Sequence, residues 1–335
     1  MSRRKDIDQL RGVAILLMVM VHSAATWAPS DASTTNFLAL VIAGLGGLAA
    51  PLFVTVGGWV TVQSTWTLRK ALIRFAFLYA AQILVNISAP ERFDPFSPGV
   101  LTLFALLYLT APLWIRISQN LQRTIISVVL LLALNHNLLS FHEALNWEER
   151  TYVGSILEHF KHLILTGTYP FLPWILFSIF GASLNNIGPN RRTLLASGSV
   201  GILVCAYFLY TSTQDNIPFA QPLGEATLTF FPANTAFLIA ALTGVLIIWA
   251  LLENVDSKIG LHHLGRLSLT LYVLHFVPLS VFTGLNLSLY SASIVTLGYT
   301  LLWWPLSVIH QARIPGYSLE NVMRNVTHQG EEEGA

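Results

Sequence analysis

Ten apolar runs divide this chain, at about 12–29, 37–62, 70–88, 99–115, 124–140, 170–185, 194–212, 231–252, 265–285 and 290–310. Each is close to the length needed to cross a hydrocarbon core of roughly 30 Å. Few folds are open to a chain so patterned. In lipid every backbone N–H and C=O must be paired within the structure, so runs of this length become helices. The fold class expected is all-α, a polytopic membrane helix bundle of about ten transmembrane helices. The fourth and sixth runs are the weakest, because Pro112, Pro170 and Pro173 interrupt or begin them. Composition agrees: hydrophobic residues make up 54% of the chain and charged residues 10%, with a mean hydropathy of +0.61, outside the range of an ordinary soluble domain.

The placement of Lys and Arg tests the count independently. With a cytoplasmic N-terminus, of the 18 Lys and Arg only Arg92, Arg150 and Lys161 fall on outer segments; the rest, from Arg3 to Arg324 and including Lys258, fall on inner ones. This positive-inside bias puts both termini in the cytoplasm. A basic start before an apolar run also has the form of a secretory signal peptide, with Ser23, Ala24 and Ala25 as the cleavage region. Removing that segment would invert every later helix and spoil the charge bias. A net charge of +1 with no concentrated basic patch argues against nucleic acid as a partner. The single cysteine, Cys205, allows neither an internal disulfide nor a thiolate cluster for a metal. The expected organisation is one integral-membrane domain over residues 1–328 and a disordered acidic tail over 329–335. Of the outer segments, 141–168 holds His142, Glu143, Glu148, Glu149, Glu158, His159, Lys161 and His162. Its Val153, Ile156, Leu157, Phe160, Leu163 and Ile164 recur at helical spacing. That pattern predicts a surface helix roofing a cavity.

Arg11 and His22 stand out on the first run. Eleven residues turn a helix by about 1100°, three turns and about 20°, so both side chains share one face, separated by about 16 Å along the axis. One lies at the rim, the other deep. Ionisable groups inside a bilayer are costly and usually functional. Asp8 precedes Arg11 by one turn and is placed to support it. Lys70 and Arg74 share a face at i, i+4, suited to a cofactor phosphate or a lipid headgroup. Arg266 and His275 repeat the rim-then-depth pattern, but nine residues turn a continuous helix by about 900°, which sets them on opposite faces. At most one of the two is expected to face the cavity of the first helix. His136 reads as interfacial, and Pro51 with Gly57-Gly58 as a site of close helix contact or a kink.

The stretch Asp8-Gln9-Leu10-Arg11-Gly12-Val13-Ala14, running into Met18 and His22, resembles the opening of the transmembrane acyltransferase superfamily. Ala50-Pro51-Leu52-Phe53 with Gly57-Gly58, Arg69-Lys70 with Arg74, and Gly99-Val100-Leu101 are similar to its second, third and fourth helices. Tyr169-Pro170-Phe171-Leu172-Pro173-Trp174 with Gly181 resembles the sixth, and Leu264-Gly265-Arg266-Leu267-Ser268-Leu269-Thr270-Leu271-Tyr272 with His275 the ninth. Gly316-Tyr317-Ser318-Leu319-Glu320 resembles its Gly-Pro-Leu-Glu ending, with Tyr317 in place of Pro. The second-helix, sixth-helix and C-terminal matches favour the branch like the heparan-alpha-glucosaminide N-acetyltransferase catalytic domain.

That resemblance implies transfer of an acyl group, usually acetyl, from cytoplasmic acyl-CoA to a glycan, amino sugar or similar acceptor across the membrane. It also implies a bacterial plasma membrane. Arg11, Arg69, Lys70, Arg74 and Arg266 are the residues expected to grip the nucleotide phosphates, since guanidinium and ammonium groups bind them well. His22, with His275 as a second candidate, is expected to be catalytic. Histidine serves either as general base or as transient acyl carrier, and the sequence leaves both roles open. Membrane lipid is a partner by construction of the fold, and a homodimer is compatible with it. A second function class also fits the pattern: a transporter or flippase moving a lipid or small solute without covalent chemistry. An accessory subunit of polysaccharide assembly is a third.

Overall fold

The computed structural model describes residues 4–29, 32, 36–139, 145–253, 255 and 259–332. Arg3, His142, Glu143 and Lys258 therefore lie outside the described residues. In chain order the helices are α1 (Lys5–Trp27), α2 (Phe37–Gly47), α3 (Ala49–Thr61), α4 (Leu68–Ser88), α5 (Val100–Leu109), α6 (Ala111–Ser118) and α7 (Leu121–Leu139). Next come α8 (Trp147–Thr151), α9 (Ile156–Lys161) running into a π-helical turn (His162–Thr166), α10 (Phe171–Ile187) and α11 (Arg191–Asp215). After two short strands, β1 (Ala220–Leu223) and β2 (Leu228–Phe231), follow α12 (Thr235–Leu252), α13 (Leu261–Arg266), α14 (Ser268–Leu274), α15 (Phe276–Val281), α16 (Leu289–Arg313) and α17 (Leu319–Glu332).

Among the described residues, seven helices are long and apolar enough to cross a membrane, counting α2 and α3 as one, or up to nine if each of two bent pairs is one span. The bends fall where the prolines stand. α5 and α6 meet at 76° just before Pro112, and the helix through Thr166 meets α10 at 45° across Pro170. The ninth expected span, 265–285, is broken into α13, α14 and α15, the first break falling at Leu267, which leaves the helical region at φ −109°, ψ 20°. β1 and β2 pair in parallel, Ala220 beside Leu228 and Leu223 beside Phe231, an addition to the all-helical expectation. α17 stays helical through Glu332, so helix reaches into the stretch from Gln329 that reads as a polar tail.

Burial ranks the spans: 44% of the α1 window is buried against 11% for α7 and α11. α1 is central; α7 and α11 are peripheral, presenting Val129, Leu130, Val200 and Leu203 outward. Two tight seams hold the centre. A Cβ on Gly58 of α3 would stand 2.3 Å from the Ser178 carbonyl oxygen of α10, and one on Gly181 of α10 would stand 1.8 Å from that of Thr55 of α3. α1 and α13 repeat the device: a Cβ on Gly12 would meet the Leu261 carbonyl at 2.2 Å, and one on Gly265 that of Asp8 at 1.8 Å. Small residues let the backbones touch, the usual solution where lipid supplies no hydrophobic drive between helices.

Of the expected surface helix over 141–168, the described residues 145–168 instead form two short helices and a π turn. Arg150, fully buried, joins them by donating from Nε to the Leu145 carbonyl and from Nη1 to that of Thr166, both at 3.1 Å. Leu163 is buried, whereas Ile156, Leu157 and Phe160 are exposed.

Candidate active site

A cavity of about 1100 Å³ runs through the bundle. On α1 it is lined by Arg11, Met18, Val21, His22, Ala24 and Ala25, which fall on one side of the helix at about 100° per residue. The helical rise from Arg11 to Ala25 makes this wall about 21 Å long. Arg11 and His22 thus face the same space, one near the start of α1 and one in its later half. Near Arg11 the wall includes Ser268 and Glu320; at the far end it includes Glu91, Arg92, Trp147 and residues of both strands.

The far end is built around Arg92, in the connection between α4 and α5. Its Nη2 donates to Thr26 Oγ1 at 2.8 Å, and Thr26 Oγ1 donates to the His22 carbonyl at 2.7 Å. Trp147 Nε1 donates to the Arg92 carbonyl at 3.1 Å, so α8 roofs this end. Burial draws the Arg92 pKa below its ordinary value, opposed by Glu91 at 3.7 Å. Tyr169 and Tyr272 add two cavity-facing phenols.

At mid-depth His22 meets a second imidazole. Its Nδ1 lies 2.8 Å from Nε2 of His275, and the ring planes are 8° from parallel with centroids 5.1 Å apart. That separation is close to the largest a 2.8 Å contact allows, so both nitrogens lie on the line between the centroids. The bond therefore runs in both ring planes, as a good N–H···N bond does. Phe276 packs against His22 with centroids 4.9 Å apart. His275 is completely buried and is not part of the cavity wall.

The cationic candidates separate. Arg11 is on the wall. Arg74 lies one layer behind it, its guanidinium 5.1 Å from the ring centroid of the cavity-lining Tyr108. Arg69 is exposed, and Lys70 reaches Thr65 Oγ1 at 3.2 Å; neither lines the cavity. Arg266 turns to α1, with Nε 3.6 Å from an Asp8 carboxylate oxygen. Both Arg266 and His275 meet α1, and neither lines the cavity. The helix breaks at Leu267 between them, and the rotation of a continuous helix does not apply.

Glu320 is a residue whose role the spacing did not announce. From the start of α17 its carboxylate accepts from the Leu269 and Thr270 N–H groups at 2.6 and 3.2 Å and from Thr270 Oγ1 at 2.6 Å. It caps α14 where α13 ends, satisfying N–H groups that a helix start leaves open.

The family model for the heparan-alpha-glucosaminide N-acetyltransferase catalytic domain matches residues 3–208, more than half of the chain. The chain belongs to this family. Membership in the N-acetyltransferase family carries acyltransferase activity, and with the long apolar helices it makes the chain an integral membrane protein. The match covers Arg11, His22, Arg69, Lys70, Arg74 and Arg92, while Arg266, His275 and Glu320 lie beyond it. No curated protein matches the chain.

Proposed function

We propose that the chain transfers acetyl from cytoplasmic acetyl-CoA to a hydroxyl or amine of a glycan or amino sugar on the other side of a bacterial plasma membrane. The observation that carries this reading is the single cavity lined by both Arg11 and His22. Anionic phosphates gather at Arg11, with Arg74 behind Tyr108 adding positive charge, and the acyl-bearing arm extends along α1 toward His22. The acceptor enters from the end built by Arg92 and Trp147. His22 takes the proton of the acceptor O–H or N–H as that atom bonds to the thioester carbonyl carbon. The C–S bond then breaks, and the departing sulfur takes the proton from His22, which returns to its starting state. The net change is acetylated acceptor plus free CoA.

Purified protein with labelled acetyl-CoA and glucosamine tests this directly. Wild type turns over label, and His22→Ala lowers kcat by about 100-fold or more. Turnover that survives His22→Ala removes His22 from the chemistry. Movement of solute with no acetylation in the wild type makes the chain a transporter instead.

A further inference from the structure

We propose that His275 is a positioning residue that fixes the tautomer of His22, leaving the His22 Nε2 lone pair bare. The inference rests on the reading of His22 as the catalytic base and specifies how that base is prepared. Its starting point is a chain of hydrogen bonds with only one consistent direction. His275 Nδ1 lies 3.0 Å from the Leu271 carbonyl oxygen. A carbonyl only accepts, so His275 Nδ1 carries the proton. In a neutral imidazole the other nitrogen is then an acceptor. His275 Nε2, 2.8 Å from His22 Nδ1, must accept, so His22 Nδ1 carries a proton and donates it. His22 Nε2 is left unprotonated.

The surroundings hold this arrangement in place. His275 is entirely buried, so water cannot substitute for Leu271 or His22. Its own carbonyl accepts from Tyr299 Oη at 2.7 Å, which ties α14 to α16. Phe276 and Tyr272 pack on its ring, with centroids at 4.2 and 5.9 Å. Because His275 is absent from the cavity wall, it touches neither donor nor acceptor. Its function is carried through His22, much as a buried carboxylate orients the histidine of a serine hydrolase, but without placing a negative charge in the bundle.

The test is nitrogen NMR of ¹⁵N-histidine-labelled full-length protein in lipid nanodiscs, with the His22 signals assigned by their loss in His22→Asn. Wild type should show a pyrrole-type, protonated Nδ1 and a pyridine-type, bare Nε2 on His22. A proton on Nε2 instead overturns the proposal, whatever the activity data show. Kinetics give a second reading. His275→Leu removes the acceptor and should lower kcat by at least about 100-fold, with little change in KM for acetyl-CoA because Arg11 is remote. His275→Gln restores an acceptor oxygen near the Nε2 position and should recover activity to within about tenfold of wild type. A Leu variant as active as wild type overturns the proposal. Should His22→Ala itself remain active, the catalytic reading fails, while the tautomer is still decided by the wild-type spectrum.

Discussion

Arg11 is the cation that the cavity exposes near its Ser268 and Glu320 end, and its replacement separates binding from chemistry. Arg11→Ala should raise KM for acetyl-CoA by about 10–100-fold, the worth of one or two charge-assisted hydrogen bonds, with kcat changed far less. Initial-rate kinetics check this. An equal fall in kcat would mean that Arg11 acts on the reacting atoms. Arg11 and His22 were legible as a pair because eleven residues on an unbroken helix fix a common face. His275 was named for depth alone: its bond to His22 depends on how α14 lies against α1, which no spacing within one segment encodes. Arg92 was visible only as an outer charge, since a residue in the connection between α4 and α5 has no helical period to reveal where it points. Glu320 replaced by Gln tests another contact of this kind. The amide keeps one acceptor oxygen but loses the charge that draws three donors, so Glu320→Gln should destabilise the fold by about 1–3 kcal/mol. A thermal melt in detergent reads that loss, and an unchanged melting temperature would show that the cap contributes nothing.

Between elements, the two glycine seams set the geometry that the residues exploit. Gly12 and Gly265 bring α13 against the rim of α1, where Arg266 reaches Asp8. Gly58 and Gly181 do the same for α3 and α10. Adding a methyl at such a contact forces backbones apart, so Gly181→Ala should cost about 1–3 kcal/mol of stability, whereas alanine at Gly298, which has nothing within 4 Å, should be nearly neutral. Comparing the two variants in one unfolding assay separates loss of the seam from any general effect of alanine. Gly57-Gly58 was readable as a place of close contact, but the reciprocal partner was not, because pairing across a bundle is set by tertiary placement. The same limit explains the count of spans. Proline marked the bends at Pro112 and Pro170, but the break at Leu267 has neither proline nor glycine at its centre. The apolar run there looked continuous while the backbone was not.

Across the whole molecule, the membrane class was legible because it follows from hydropathy alone, and helix is the structure that such runs permit. The cavity was not legible, since its walls come from nearly every segment, including the two short strands whose four-residue length leaves no alternation to detect. What the cavity adds is direction: a cationic group on one stretch of α1, an imidazole pair deeper in, and Arg92 with Trp147 beyond. A path of that form predicts chemistry between two compartments. The measurement that tests it is acetyl transfer across a sealed membrane, with the protein in proteoliposomes, labelled acetyl-CoA outside and glucosamine trapped inside. Wild type should form labelled N-acetylglucosamine inside the vesicles, and His22→Ala should form it at least about 100-fold more slowly. Labelled acetyl-CoA or free glucosamine crossing the membrane unreacted, with no acetylated sugar formed, would contradict this reading.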